Sequence, residues 1–216
     1  MGTVTARVMG NVKGKVGTVV FTRWKKLYIA KGLYNKRKKK DVSQLSQVAQ
    51  LAMMSSFIKA FSDEIKLGFR KNTNKHTERS IAMKYNLANA IEGTFPHQSI
   101  NYRKIKMSDG SLEGAWATKL FFEPDQVRVT WQMSELSNQK TIGKDKAQIL
   151  VYNLTKKITL SRKTNLERNA LEYTINDLKG HTGDTIHVWI FFVSANGKMV
   201  SNSDYIGSGT VIGQPT

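Results

Sequence analysis

The first forty residues of the chain carry twelve basic side chains and not one acidic side chain. The whole chain has a formal net charge of +18, so this segment holds 12 of the 18 excess positive charges. Such a block repels itself and is costly to compact unless negative charge lies against it. Nucleic acid is the commonest partner of this kind, because each neutralised phosphate releases a condensed counterion. Charge repulsion therefore limits how compactly residues 1–40 can fold, and the same charge indicates a polyanion, most commonly nucleic acid, as the partner.

Composition places the chain among globular proteins and excludes several kinds of chemistry. Forty per cent of the 216 residues are hydrophobic, and the length suits one large domain or two small ones. The chain has no cysteine, which excludes disulfides, thiolate catalysis and thiolate zinc sites. No stretch approaches the ~20 apolar residues of a membrane helix, and no apolar segment typical of a signal peptide follows Met1. We therefore expect a cytoplasmic or virion-associated protein without a signal peptide or a membrane partner.

Residues 1–40 are predicted to form a basic β-ribbon arm. Several glycines separate short segments, and two runs rich in β-branched and aromatic residues follow them, 18–24 and 27–31. Such residues fit the pleated surface of a strand, and glycines permit tight connections between strands. The two runs are predicted to pair around Lys25-Lys26.

Residues 41–96 have the spacing of a helical hairpin. Apolar residues at steps of three and four predict one buried stripe on the first helix. Its members are Leu51, Met54, Ile58, Phe61 and Ile65. Gly68 follows where a left-handed residue would end this helix. The second helix is predicted to begin at Thr77 and to end at Gly93. Its buried stripe is predicted to consist of Ile81, Tyr85, Ala88 and Ile91.

Residues 115–216 are predicted to be a β-sandwich, joined to the helices by a linker at residues 97–114. The linker segment lacks a sustained period and contains Ser108-Asp109-Gly110. Seven strand-like runs follow, at 116–122, 126–133, 147–153, 157–161, 170–175, 185–194 and 199–206. Short strands with turn residues between them are typical of a fibronectin-III/Ig-like sandwich, and Trp131 is expected in its core. The fold class predicted for the chain is α+β.

A series of motifs runs in order along the chain. They are Gly14-Lys15-Val16-Gly17-Thr18-Val19-Val20 with Trp24-Lys25, the Gln47/Gln50 helix ending in Gly68-Phe69, Tyr85-Asn86-Leu87, Gly93-Thr94-Phe95-Pro96, Ser108-Asp109-Gly110, Val129-Thr130-Trp131, Tyr152-Asn153, Gly183-Asp184-Thr185-Ile186-His187-Val188 and Ser194-Ala195-Asn196-Gly197-Lys198. On these motifs the chain resembles an uncharacterised family of Bacteroidota proteins of unknown function, from the N-terminal glycines almost to the end. The resemblance implies no activity and therefore no catalytic residue. The run at 36–40 is more basic than expected of that family, so binding by this run would be a feature of this chain.

Three patterns that imitate catalytic or metal sites are better explained by structure. The glycine-rich segment 10–16 has too few residues between its glycines for a P-loop, and an apolar residue follows its lysine where that loop needs Ser or Thr. His181, Asp184 and His187 lie close in sequence, but a loop His181 and a mid-strand His187 are not expected to converge as zinc ligands. No Gly-x-Ser-x-Gly nucleophile elbow occurs. We predict that the protein is not an enzyme and uses no cofactor and no metal.

The basic region supplies the candidate site, because cations bind phosphates and an aromatic face can stack on an unpaired base. The predicted nucleic-acid-binding residues are Arg23, Lys25, Lys26, Lys31, Lys36, Arg37, Lys38, Lys39 and Lys40. Five consecutive cations exceed what solubility requires, although an acidic protein surface or an anionic membrane could also receive such a run. Trp24 is expected to be buried, as large aromatic side chains usually are, and stacking on a base is the alternative.

Two hypotheses about function follow. The first is a non-catalytic nucleic-acid-associated binding or structural protein, whose basic N-terminal region contacts the phosphates of DNA or RNA and whose sandwich contacts proteins. An accessory protein of nucleic acid and a phage-type virion or assembly component both fit this hypothesis. The second is a self-assembling architectural protein, a homo-oligomer whose basic arm docks on a neighbouring subunit without nucleic acid.

Overall fold

The computed structural model describes residues 2–4, 12–24, 27–33, 41–70, 76–133, 142–160, 166–176 and 178–213. The chain divides into two compact units, Met1–Gln44 and Leu45–Thr216, and each is described by itself. Helices and antiparallel strands together make the protein α+β, as the sequence predicts.

The first unit contains a four-stranded antiparallel sheet. Its strands are β1 (Gly2–Val4), β2 (Gly14–Val16), β3 (Val19–Trp24) and β4 (Leu27–Gly32), in the order β1-β4-β3-β2. The central strands pair from Val19 opposite Gly32 to Trp24 opposite Leu27, which confirms the predicted pairing of the two runs. Gly17 lies between β2 and β3 with a φ of 56°, a conformation that glycine adopts without strain.

Three helices precede the main strands of the second unit. They are α1 (Val42–Ala60), whose first turn precedes Leu45, α2 (Ser62–Gly68) and α3 (Glu78–Asn89). The predicted first helix is therefore interrupted at Phe61. The start of α3 is as predicted, because Thr77 caps it and accepts a hydrogen bond from the Ser80 backbone N–H at 3.2 Å.

The predicted stripe of the first helix is buried at four of its five positions, Met54, Ile58, Phe61 and Ile65. Leu51 is 50% exposed. Gly68 ends α2, but for a reason other than the predicted left-handed conformation. A Cβ at Gly68 would overlap the Met107 carbonyl oxygen, so the position needs glycine for close approach of two backbones.

The predicted stripe of the second helix is confirmed only in part, because Ile81 and Ile91 are half-buried against apolar residues and the other two positions are not. Tyr85 and Ala88 are exposed, whereas Ala82 and Asn86 are buried. Asn86 is buried because its side chain serves the backbone of Lys106: its amide donates to the Lys106 carbonyl at 2.9 Å, and its oxygen accepts from the Lys106 N–H at 2.8 Å. The spacing of apolar residues cannot predict the buried face of a helix when the central residue of that face is polar.

The strands of the second unit form a small hairpin and two larger antiparallel sheets. The hairpin pairs β5 (Ile91–Glu92) with β6 (Ser99–Ile100). The other strands are β7 (Trp116–Glu123), β8 (Gln126–Gln132), β9 (Lys146–Asn153), β10 (Ile158–Thr159), β11 (Glu172–Ile175), β12 (Thr185–Val193) and β13 (Asp204–Thr210). One sheet has the order β10-β9-β12-β13 and the other β11-β8-β7. All seven predicted strands are present, but β13 begins several residues later than the predicted run 199–206.

The two larger sheets enclose one hydrophobic core. It contains Val127, Val129 and Trp131 of β8, the alternate residues Ile186, Val188, Ile190 and Phe192 of β12, and apolar residues of β9 and β11. Trp131 is 2% exposed, and its indole N–H donates to the Arg168 carbonyl at 2.9 Å. The prediction that Trp131 lies in the core is confirmed.

A second hydrophobic core lies between the helices of the second unit and the outer face of the sheet β10-β9-β12-β13. Met54, Phe57 and Phe61 of the helical region share it with Tyr152, Trp189 and Phe191. The Phe57 ring lies 5.0 Å from Tyr152 and 6.1 Å from Trp189, measured between centroids. The helical region and the β-rich region, predicted as separate parts, therefore belong to one compact unit.

Residues 97–114, predicted as a linker, are packed into this unit. Ile105 and Met107 are buried in the second core. The segment also follows residues 200–203: the Met107 N–H donates to the Ser203 hydroxyl oxygen at 2.8 Å, and the Leu112 N–H donates to the Val200 carbonyl at 3.0 Å. The linker prediction is corrected, because a segment without hydrophobic period can still be ordered by hydrogen bonds to distant backbone.

Candidate nucleic-acid interface

The register of the N-terminal sheet sorts its side chains onto two faces. Residues opposite each other in antiparallel strands share a face, and successive residues alternate between faces. Lys15 lies opposite Val20, and Val20 lies opposite Lys31, so both lysines project from the same face. We call this the basic face; its described side chains are those of Lys15, Val20, Thr22, Trp24, Leu27, Ile29 and Lys31.

The two lysines of the basic face stand on strands on either side of β3. Two strand spacings put their backbones about 10 Å apart, so their flexible side chains can reach separate phosphates. Both side chains are exposed. The hydrogen-bonded strands fix the distance between the two lysine backbones. The position of the positive charge is therefore set by the sheet and not by a loop.

Trp24 lies on the basic face and is 42% exposed. The expectation that it would be buried is therefore wrong in the structure. Trp24 lies opposite Leu27, which is also exposed, at the end of the sheet away from the two lysines. An exposed indole on the same surface as two cations is the combination that contacts both the bases and the phosphates of a nucleic acid.

The opposite face of the sheet is mainly apolar and carries one of the predicted cations. Arg23 lies there opposite Tyr28, and its guanidinium carbon is 5.5 Å from the centroid of the Tyr28 ring. This geometry is a cation–π contact. Arg23 and Lys31, the two predicted site residues within the described part of the chain, therefore lie on different faces.

The other predicted site residues, Lys25, Lys26, Lys36, Arg37, Lys38, Lys39 and Lys40, lie outside the described residues. The structure adds Lys15, which the sequence-based set omitted. Alternation along β2 together with the register across Val20 puts Lys15 on the same face as Lys31. A sequence alone shows the alternation but not which strands are neighbours.

In the described residues 12–16, the glycine-rich segment that resembles a P-loop lacks the geometry of that loop. Gly14 to Val16 form β2, which pairs with β3, so Lys15 lies in a strand and not before a helix N-terminus. The segment is a glycine-bent strand in its described part, as predicted.

The three candidate metal ligands do not converge. His181 and Asp184 meet, with 3.2 Å between Nδ1 and Oδ2, but Lys156 occupies the same carboxylate at 3.0 Å. A hydrogen bond from Asn153 holds the pKa of Asp184 below its ordinary value, and Lys156 and His181 act in the same sense. His187 lies away from this cluster, 4.2 Å from the Tyr102 ring in a stacked arrangement. Within the described residues, no group of three or more acidic or imidazole side chains could hold a metal ion.

Together these features define a class: a two-unit α+β protein in which a basic, aromatic-bearing sheet accompanies a helix-covered β-sandwich. The chain belongs to a family described as a family of unknown function (DUF6266), whose sequence profile matches residues 11–207. This match confirms the resemblance to an uncharacterised family, and its Bacteroidota origin stays a prediction. No curated protein matches the chain. None of the helices in the described ranges combines the length and apolar character needed to cross a bilayer.

Proposed function

We propose that the protein is a non-catalytic nucleic-acid-associated binding or structural protein that contacts phosphates through its N-terminal region. The observation that carries the proposal is the basic face, where Lys15 and Lys31 share a surface with exposed Trp24. The absence of acidic residues from the first forty positions supports it, because no intrachain carboxylate in that region competes for these cations. The contacts are to phosphates, so little sequence preference is expected.

The β-sandwich is proposed to make protein contacts and to be fibronectin-III/Ig-like. Its first, second and fifth strands lie in one sheet and its third, sixth and seventh in the other, as in constant-type Ig domains. The short fourth strand, β10, pairs with β9 and so departs from that pattern. A nucleic-acid accessory protein in the cytoplasm and a phage-type virion or assembly component are the two settings that suit the proposed function.

Binding should be measured as a function of salt for the full chain and for two variants. Replacing Lys15 and Lys31 with Ser should lower the slope of log affinity against log salt by about 1.8 on duplex DNA, at about 0.9 for each lost phosphate contact. Replacing all five residues from Lys36 to Lys40 with Ser should lower it by up to about 4.5. The matched control is Lys179→Ser with Lys198→Ser, two exposed lysines of the second unit.

The control variant should keep the slope of the unmodified chain within about one unit. If the control and the Lys15/Lys31 variant lose affinity equally, binding follows net charge and the basic face is not the site. If neither N-terminal variant changes affinity or slope, the proposed function is wrong.

A self-assembling architectural protein is the second candidate. The observation that favours it is the exposed apolar surface of the first part of α1, formed by Leu45, Val48 and Leu51. Exposed apolar residues gathered on one element are typical of protein contact surfaces. Sedimentation over a range of protein concentrations, with and without nuclease treatment, separates the two candidates. Concentration-dependent assembly that survives nuclease, together with undetectable nucleic-acid binding, would establish the second candidate and overturn the first.

A further inference from the structure

A cleft in the second unit gathers cations and an aromatic ring away from the N-terminal sheet. It lies between the C-terminal half of α3 and the segment 103–106, with Ser203 also in its lining, and has a volume of about 490 Å³. That volume lies within the range of small-molecule sites. Its lining includes Tyr85 and Asn89 of α3 and the three cations Arg103, Lys104 and Lys106. We call it the α3 cleft.

Two of the three cations in the α3 cleft form ion pairs with carboxylates of the described residues, and the third does not. Lys104 and Lys106 each pair with a carboxylate at 2.8 Å, those of Glu92 and Asp109. The guanidinium of Arg103 is exposed and makes no hydrogen bond or ion pair with the described residues. Each lysine ammonium has three donors, so it can keep its carboxylate and still donate to a second anion. An anionic ligand would therefore bind Arg103 without competition from a carboxylate and could also accept hydrogen bonds from the two lysines.

Neutral donors stand beside these cations. The Ser203 hydroxyl oxygen accepts from the Met107 N–H, which leaves its own proton free to be donated. The Asn89 amide donates one hydrogen to the Tyr85 carbonyl at 2.7 Å and retains a second. Cations combined with hydroxyl and amide donors are the groups that bind phosphate oxygens.

Tyr85 gives the cleft an aromatic surface. The side chain is 42% exposed on a helix whose other face is buried, and the Lys106 ammonium lies 5.1 Å from its ring centroid. An exposed ring beside phosphate-binding groups can stack on a planar base.

The cleft is held in place by buried hydrogen bonds. Asn86, which is fully buried, both donates to and accepts from the backbone of Lys106, so the cationic segment is fastened to α3. The Met107 N–H fastens the same segment to Ser203. Groups fixed before a ligand arrives lose less conformational entropy on binding.

We propose that the α3 cleft binds a nucleotide unit, with its phosphate on Arg103 and the neighbouring donors and its base against the Tyr85 ring. The ligand chemistry is a phosphate joined to a planar aromatic base, which either a free nucleotide or one residue of a single strand supplies. This inference does not rest on nucleic-acid binding by the basic face, because the two sites share no residue.

The test is a titration of the full-length protein, followed by NMR signals of Asn89, Arg103 and Ser203, with adenosine monophosphate and separately with a short oligothymidylate. Saturable shifts with the mononucleotide support the cleft and identify a free nucleotide as a sufficient ligand. Shifts with the oligonucleotide alone support it and identify a strand. If neither probe shifts these signals, the proposal is overturned.

Two variants and a matched control locate the binding. Arg103→Gln should weaken the affinity about tenfold, through loss of a charge-assisted hydrogen bond, and Tyr85→Leu should weaken it by a similar factor through loss of stacking. Lys84→Gln removes the same charge from an exposed neighbour outside the cleft and should leave affinity unchanged. Equal weakening by Lys84→Gln and Arg103→Gln would overturn the proposal. The variant with Lys15 and Lys31 replaced should still bind the mononucleotide, so failure at one site is distinguishable from failure at the other.

Discussion

Arg168 and Asp145 form an ion pair inside the second unit. Their side chains are 2% and 5% exposed, and 3.8 Å separates Nη2 from Oδ2. The Arg168 guanidinium also donates to the Glu113 and Gly114 carbonyls and stacks 3.8 Å above the Phe192 ring. Burial raises the pKa of Asp145, although the charge of Arg168 acts in the opposite direction. Several contacts therefore hold the Arg168 guanidinium in place. Removing either member of the ion pair leaves the charge of the other buried without its partner.

Arg168→Met should lower the free energy of unfolding by about 3–5 kcal/mol, because it leaves Asp145 unpaired in the interior. The double variant Arg168→Met with Asp145→Leu should recover most of that loss, since both buried charges are then gone. Urea unfolding measures both values.

The matched control is Arg128→Met, which removes a more exposed pair with Glu123 at 2.9 Å. Water and salt screen that pair, so its loss should cost no more than about 1 kcal/mol. An equal cost for Arg128→Met and Arg168→Met would mean that the buried pair does not stabilise the fold.

At the scale of elements, β12 determines the layering of the second unit. One face of the strand, Ile186 to Phe192 in alternation, packs between the two sheets, and the other carries His187, Trp189 and Phe191 toward the helical layer. A strand buried on both faces reads as a continuous apolar run, which is the pattern of residues 186–193. His187 is the exception in that run. It contributes a hydrogen bond between its Nδ1 and the Tyr205 hydroxyl at 2.9 Å.

His187 predicts a pH dependence of stability. Burial lowers its pKa to about 4 from 6.5. Above pH 6.5 the imidazole is neutral in both states; between 6.5 and about 4 only the unfolded chain takes up the proton, so the free energy of unfolding falls as pH falls. The total contribution is about 3 kcal/mol.

The measurement is urea unfolding between pH 7 and 4. His187→Gln should flatten the fall in stability relative to the unmodified chain, and His97→Gln, at an exposed position, should keep it. A fall that is identical in all three proteins would mean that His187 does not cause the pH dependence.

At the scale of the whole molecule, the division of the chain lies near residue 44 and not at residue 114. Separation at 114 would expose the sheet face that carries Tyr152, Trp189 and Phe191, which are buried beneath the helical layer. It would also remove the segment that contains Gly110. The backbone there approaches Val200 so closely that a Cβ would overlap the Val200 carbonyl oxygen.

A fragment of residues 41–216 should therefore unfold cooperatively. A fragment of residues 115–216 should show tryptophan emission red-shifted from that of the longer fragment, because Trp189 then meets water, and its apolar sheet face should bind hydrophobic dyes. Circular dichroism and fluorescence during urea unfolding compare the two fragments. Equal stability of both would mean that the helical layer does not stabilise the sandwich.

The sequence by itself determined the α+β class, the seven strands, the capped start of α3, the core position of Trp131 and the concentration of charge in the first forty residues. Each of these depends on local chemistry: side-chain period, capping residues, or the count of ionisable groups along the chain. The tertiary structure decided how the elements combine. It buried Asn86 and Arg168, exposed Trp24 and Tyr85, put Lys15 and Lys31 on one face of a sheet, and ordered the segment 97–114 against a distant part of the chain. These outcomes depend on contacts between residues far apart in sequence, where a partner's hydrogen bond or a neighbouring strand outweighs the preference of the residue itself.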